Sequence, residues 1–201
     1  LPLFLLYGVG VLLCLVHYTT ASAKEKAIFS VLILNIIIIY FKLKKKKILF
    51  FYHPRKLLTF IHKFYIEDLL EDMYENYSVI YGHEVNKNIG KKYYFIKQGY
   101  LKFILNIDLF ISNNICNVFP PKSKKIYIHH NIYDGPLVHQ NKEKETCQRL
   151  LNYDFIFLSS QMSIKMVDDM FRKYGLEKFP NLKEIGYAKI DYLRKKNTKK
   201  L

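Results

Sequence analysis

The 201-residue chain has no tryptophan and only three cysteines, Cys14, Cys116 and Cys147. An odd number so widely spaced builds no disulfide framework and no CxxC metal or redox pair, so a reducing compartment suits the main body. No GxxxxGK(S/T) is present, which excludes a P-loop enzyme, and no GxSxG elbow of an α/β hydrolase appears. The seven histidines show no HExxH or other ligand spacing, so neither a metal nor a cofactor is expected. Gly8-Val-Gly10 lies inside an apolar run and is no dinucleotide fingerprint. Acidic residues are scarce too: 17 Asp plus Glu stand against 32 Lys plus Arg, for a net charge of +15.

What is present is apolar and aromatic. Hydrophobic residues make up 50% and charged residues 24%, which excludes an acidic or low-complexity disordered chain, and 17 Tyr with 15 Phe supply a sizeable core. The positive charge is concentrated in residues 42–47 (KLKKKK) and 194–200 (RKKNTKK), neither of which contains an acid. A nucleic-acid binder would spread its cations over a face between aromatics, so no nucleic-acid partner is expected. The first run directly follows an apolar stretch, where membrane proteins place cytoplasmic lysines.

Residues 1–23 contain no Asp, Glu, Lys or Arg, and as a helix they would span roughly 35 Å. A polar turn around Thr19–Lys26 separates them from a second uncharged run, Ala27–Phe41, about 22 Å long as a helix. The pattern predicts a transmembrane helical hairpin or anchor over residues 1–46, with Lys42–Lys47 against anionic headgroups on the cytoplasmic side. Two rival readings are a signal peptide cleaved near Ala21-Ser22-Ala23 and, for Ile36–Ile39, a buried strand.

From Lys47 onward, short apolar runs alternate with stretches of helical period. Strands are predicted over 48–53, 78–81, 107–112, 125–130, 153–159 and 183–187. Helices are predicted over 57–77, 99–106, from Asn141 as N-cap, and over 163–174 with Gly175 as the stop. Residues 113–123, with Pro120-Pro121, are predicted as a loop. Strands apolar on both faces and separated by helices imply a Rossmann-like α/β domain with a parallel sheet. Ligands in such sheets bind at the carboxyl ends of the strands. Those ends carry His53, Gly82-His83, Ser112-Asn113, His129-His130, Ser159-Ser160 and Gly186, a polar, histidine-rich edge suited to a phosphate-bearing ligand. On an extended strand His129 continues the face of Tyr127, and His130 that of Ile126 and Ile128, so the pair cannot jointly chelate a metal. Either can accept a proton near neutral pH. Ser159-Ser160 can present helix amides to an anion or serve as an ordinary cap.

Three segments in order, KKIYIHHNIYDGPLV, LLNYDFIFLSSQMSIKMVDDMF and LKEIGYAKIDYL, resemble the N-terminal half of CDP-glycerol glycerophosphotransferases, the teichoic-acid-type polymerases and primases. The resemblance spans residues 47–193 and implies the N-terminal domain of a GT-B fold, with 194–201 as a basic tail at the interdomain junction. His130 falls on the family's histidine, held to be a general base. Tyr153-Asp154 and Ser159-Ser160 fall on a second motif, and Gly186-Tyr187 with Asp191 on the junction motif. The chain departs from the pattern where Asn131 replaces a glycine and where Ala188-Lys189 replace Pro-Arg. The resemblance implies a membrane-associated enzyme that transfers glycerol phosphate from CDP-glycerol to a lipid-linked acceptor at the cytoplasmic side of the cell membrane. His130 would be its base, and His53, Asn113, His129, Ser159, Ser160, Gly186 and Asp191 would line the substrate site. The second domain has no counterpart in these residues, so the chain alone is expected to be inactive. A GT-B glycosyltransferase using a nucleotide sugar, and a non-catalytic membrane-anchored binding protein, are the alternatives.

Overall fold

A computed structural model describes residues 22–40, 46–52, 70, 77–83, 93–129, 142–176, 178–186 and 194. In chain order they form α1 (Ala23–Tyr40), β1 (Lys46–Tyr52), β2 (Tyr77–His83), β3 (Tyr93–Phe95), a 3-10 helix (Gln98–Phe103), β4 (Leu109–Ser112), β5 (Lys124–Ile128), α2 (Glu143–Leu150), β6 (Phe155–Leu158), α3 (Gln161–Lys173) and β7 (Asn181–Glu184). The seven strands make one sheet in the order β3-β2-β1-β4-β5-β6-β7. Every neighbouring pair is parallel. The order reverses between β1 and β4, and in such sheets that is the topological switch point.

Alternation along each strand supplies both faces. Leu49, Phe51, Ile80 and Phe110 pack beneath α1 and the 3-10 helix with Val31, Leu34, Leu101 and Ile104. Farther along, Tyr127, Ile156 and Leu158 pack with Cys147 and Leu150 of α2 and with Val167, Met170 and Phe171 of α3. Phe119, from the irregular stretch after β4, packs against both groups. It stands edge-on to Phe110 at 5.6 Å and to Tyr153 at 5.1 Å. Ile48, Phe50, Tyr81, Ile111 and Ile128 bury on the opposite face with Leu70. Leu70 is helical and belongs to the predicted 57–77 helix, most of which lies outside the described residues.

Two aspartates align the sheet at its amino end. Lys47 N–H donates to Asp108 Oδ2 at 2.7 Å, and Lys125 N–H donates to Asp154 Oδ2 at 2.7 Å. Each carboxylate stands just before one strand and accepts from the amide of the second residue of the neighbouring one, so a residue that reads as a strand's polar start is a register pin.

The transmembrane hairpin predicted over residues 1–46 is corrected: no helix of the described residues is long and apolar enough to cross a membrane. Of the first arm, residues 1–23, residues 1–21 lie outside the described residues. The second arm is α1, and it is a helix, not the alternative buried strand. Ser22 and Glu25 form a capping box at its start, with Ser22 N–H donating to Glu25 Oε2 at 2.7 Å and Glu25 N–H donating to Ser22 Oγ at 3.4 Å. Three charged residues occupy its first turn, and the uncharged remainder covers only about 21 Å against a hydrocarbon core of about 30 Å. Ser30, Val31 and Leu34 are buried against the sheet side of the molecule. Asn35, the polar residue in the apolar run, bonds to protein backbone: its Nδ2 donates to the Phe103 carbonyl at 2.8 Å and its Oδ1 accepts from Leu105 N–H at 3.0 Å. Hydropathy alone cannot separate a short span from a helix packed on a sheet, and here one face of the helix packs on the sheet through Val31 and Leu34.

The remaining predicted elements that fall on described residues differ from their bounds by one to three residues. The 99–106 helix is a 3-10 helix over Gln98–Phe103. α3 begins at Gln161, with Ser160 as its cap, and ends before Gly175, whose φ of 65° only glycine adopts readily. α2 begins after Lys142, which offers no side-chain cap, and Asn141 lies outside the described residues. β3 has no counterpart in the sequence reading, because three residues behind Lys91-Lys92 show no measurable alternation.

Candidate functional site at the carboxyl edge of the sheet

The carboxyl ends of β2, β4 and β5 gather polar side chains that are almost entirely buried. His83 is 5% exposed, Ser112 0%, Asn113 1% and His129 6%. Burying hydroxyl, amide and imidazole groups costs free energy unless partners are supplied, so such an edge must be ordered by specific contacts.

Tyr153 supplies the main one. It lies two residues before β6 and lays its ring along the sheet face, against Tyr127 at 5.7 Å and Phe119. Its hydroxyl lies 2.9 Å from Ser112 Oγ, accepts from Cys116 N–H at 2.8 Å and donates to the Asn114 carbonyl at 3.1 Å. One phenol therefore holds the turn that leaves β4. Arg149 of α2 grips the same segment farther on, through Asn117 Oδ1 and the Ile115 carbonyl, both at 2.6 Å.

Beside it, the Tyr127 hydroxyl lies 3.2 Å from His129 Nδ1. This contact puts both residues on one face, as strand alternation predicts. Burial, with a further push from Cys116, holds both phenols well above the ordinary tyrosine value, so both remain protonated donors at neutral pH. A Tyr127 O–H that donates to Nδ1 leaves the ring proton of a neutral His129 on Nε2, an atom that is itself buried. His129 N–H donates to the Phe157 carbonyl at 2.9 Å, which holds the residue beside β6.

On β2, His83 packs its ring on Phe95 at 5.9 Å, and its carbonyl accepts from Ile96 N–H at 2.8 Å. Gly82 before it allows close packing: a Cβ there would stand 2.9 Å from Ile96 Cδ1 and 3.3 Å from Phe51 Cδ2.

The sequence-predicted site residues distribute unevenly. Asn113 and His129 end adjacent strands, and Ser159 follows at the end of β6, next to β5. Ser160 caps α3, its Oγ accepting from Ser163 N–H at 3.2 Å. The hydroxyls of Ser159 and Ser160 lie 3.3 and 3.0 Å from Ser163 Oγ, so both contribute to the helix cap. Gly186, at φ 75°, follows edge strand β7, roughly three strand spacings or 15 Å from Asn113. His53, His130 and Asp191 lie outside the described residues.

Strand-end reading names His83 and Ser112 but assigns them no role, and it passes over Tyr127 and Tyr153. The one sequence signal for Tyr153 is its position in the Tyr-Asp pair that begins the 153–159 run. The structure gives both members of that pair scaffold functions, Tyr153 for the Ser112–Cys116 segment and Asp154 for the start of β5.

No protein-family model matches this chain, and no curated protein matches it.

Proposed function

We propose that this chain is the Rossmann-like part of a transferase that uses a nucleotide-activated, phosphate-bearing donor, and that CDP-glycerol is that donor. The observation that supports the reading is the buried polar edge, Ser112, Asn113 and His129, on the adjacent strands beside the switch point, where parallel sheets bind phosphate-bearing ligands. The order of the three motif segments supports the glycerophosphotransferase chemistry. An acceptor hydroxyl on a lipid-linked glycan or polyol phosphate would attack the glycerol-bearing phosphorus. CMP would leave, and His130 would take the acceptor's proton. His129 and Asn113, buried at the ends of adjacent strands, would order the edge against which the phosphates sit, a task of positioning and charge stabilisation. A lipid-linked acceptor would put the reaction at the cytoplasmic face of the membrane.

The test is CMP release from CDP-glycerol by membranes carrying the full-length gene product, beside His130→Ala and His129→Ala variants. Release lost in His130→Ala and reduced in His129→Ala is the expected result. Release indifferent to His130 would remove the assigned base. No release by folded protein with a polyol-phosphate acceptor present would overturn the reaction class.

A further inference from the structure

α1 is apolar around its circumference, and a helix of that kind needs apolar surroundings on more than one side. Its inward face meets the sheet through Val31 and Leu34. Its outward stripe runs Lys24, Ile28, Leu32 and Asn35 at helical spacing, with Ile28 39% and Leu32 55% exposed. Asn35 joins this stripe to the segment after the 3-10 helix through Phe103 and Leu105, and those two side chains are 51% and 47% exposed. Four large apolar residues from two distant segments thus form one exposed patch.

The charge around the patch is predominantly positive; the exposed acid of the first turn of α1, Glu25, accepts from Ser22 N–H. No Asp or Glu occurs from Lys26 to Ile66 or from Val85 to Ile107, the two stretches that build it. Exposed Lys24 begins the stripe, and Lys102 places its Nζ 5.1 Å over the Phe103 ring. Five lysines follow in residues 42–47, just past the end of α1. An apolar patch flanked by exposed Lys24 and Lys102, with the Glu25 carboxylate bonded to Ser22 N–H, complements an interface with acyl chains below and anionic headgroups above.

We infer that the outward face of α1, with Phe103 and Leu105, docks on an anionic lipid surface. The helix lies along that surface and does not cross it. The inference does not depend on the reaction proposed above.

The test is co-sedimentation of the full chain with vesicles of phosphatidylglycerol or of phosphatidylcholine, at low and at high salt. The partner is Leu32→Glu/Phe103→Glu, which leaves every lysine in place and alters only exposed side chains. Binding to phosphatidylglycerol that salt weakens, little binding to phosphatidylcholine, and a loss of about tenfold or more in the double variant at an unchanged melting temperature are expected. Equal binding by the variant would assign the lysine runs alone to lipid and overturn the docking face. So would the absence of binding by the parent chain. Self-association of the parent that the variant abolishes would make the patch a protein interface and would equally overturn the inference.

Discussion

The hydroxyl of Tyr153, before β6, lies 2.9 Å from Ser112 Oγ at the carboxyl end of β4, so a residue two strands away holds the turn where the candidate site begins. The same hydroxyl serves Cys116 N–H and the Asn114 carbonyl. The turn's geometry is set by the sheet's interior and not by the turn's own sequence.

Tyr153→Phe keeps the ring packing and removes those three contacts. Leaving the buried Cys116 amide without its acceptor is expected to cost about 1–3 kcal/mol, read as a lower urea midpoint at unchanged slope. Ser112→Ala, which removes one contact and leaves the phenol bonded to the backbone, is expected to cost about 1 kcal/mol or less.

Gly82→Ala places a methyl 2.9 Å from Ile96 Cδ1 in a fully buried environment. The overpacking is expected to cost about 1–3 kcal/mol in thermal melting. Ile96→Val in the same chain should recover part of the loss, because the clash is with the removed methyl. An equal or larger deficit in the double variant would count against this geometry.

Asn35→Leu distinguishes a helix docked on protein from one bathed in lipid. Here it removes the bonds to the Phe103 carbonyl and Leu105 N–H and is expected to destabilise the fold by about 1–3 kcal/mol. In a hydrocarbon environment the same change would be favourable. Denaturation of the purified chain in the absence of detergent reads the sign.

Glu143 Oε2 accepts from Lys173 Nζ and from the Tyr174 hydroxyl, both at 2.6 Å, and so ties α2 to the end of α3. These bonds, that to Lys173 first, hold its carboxyl below the ordinary glutamate value. A depressed folded-state value means that the contact stabilises the protein above the unfolded carboxyl's pKa, with the benefit lost as pH falls through the folded value. Glu143→Gln should lower the urea midpoint at pH 7 and narrow the difference between variant and parent at pH 3. The Lys173 end of the contact is exposed and screened by solvent, so the effect at pH 7 is expected to be small.

The alternation of apolar runs and helical periods was sufficient to predict a parallel α/β sheet, because strands covered on both faces must be apolar on both faces. Ile48–Phe51 and Phe155–Leu158 carry that signal unambiguously. Strand ends were equally legible, which is why Asn113, His129 and Ser159 could be named as edge residues from spacing alone. Tertiary structure decided what local pattern does not encode. Whether the apolar run of α1 crosses a membrane or packs on a sheet depends on Asn35 finding the backbone of residues 103–105, some seventy positions away. Whether Tyr153 is one more core aromatic or the clamp of the β4 turn depends on where the Ser112–Cys116 segment passes. Periodicity records how much apolar surface each residue must hide. Which polar atoms meet once that surface is hidden is set by the packing of segments distant in the chain, and in this protein those meetings define the candidate site.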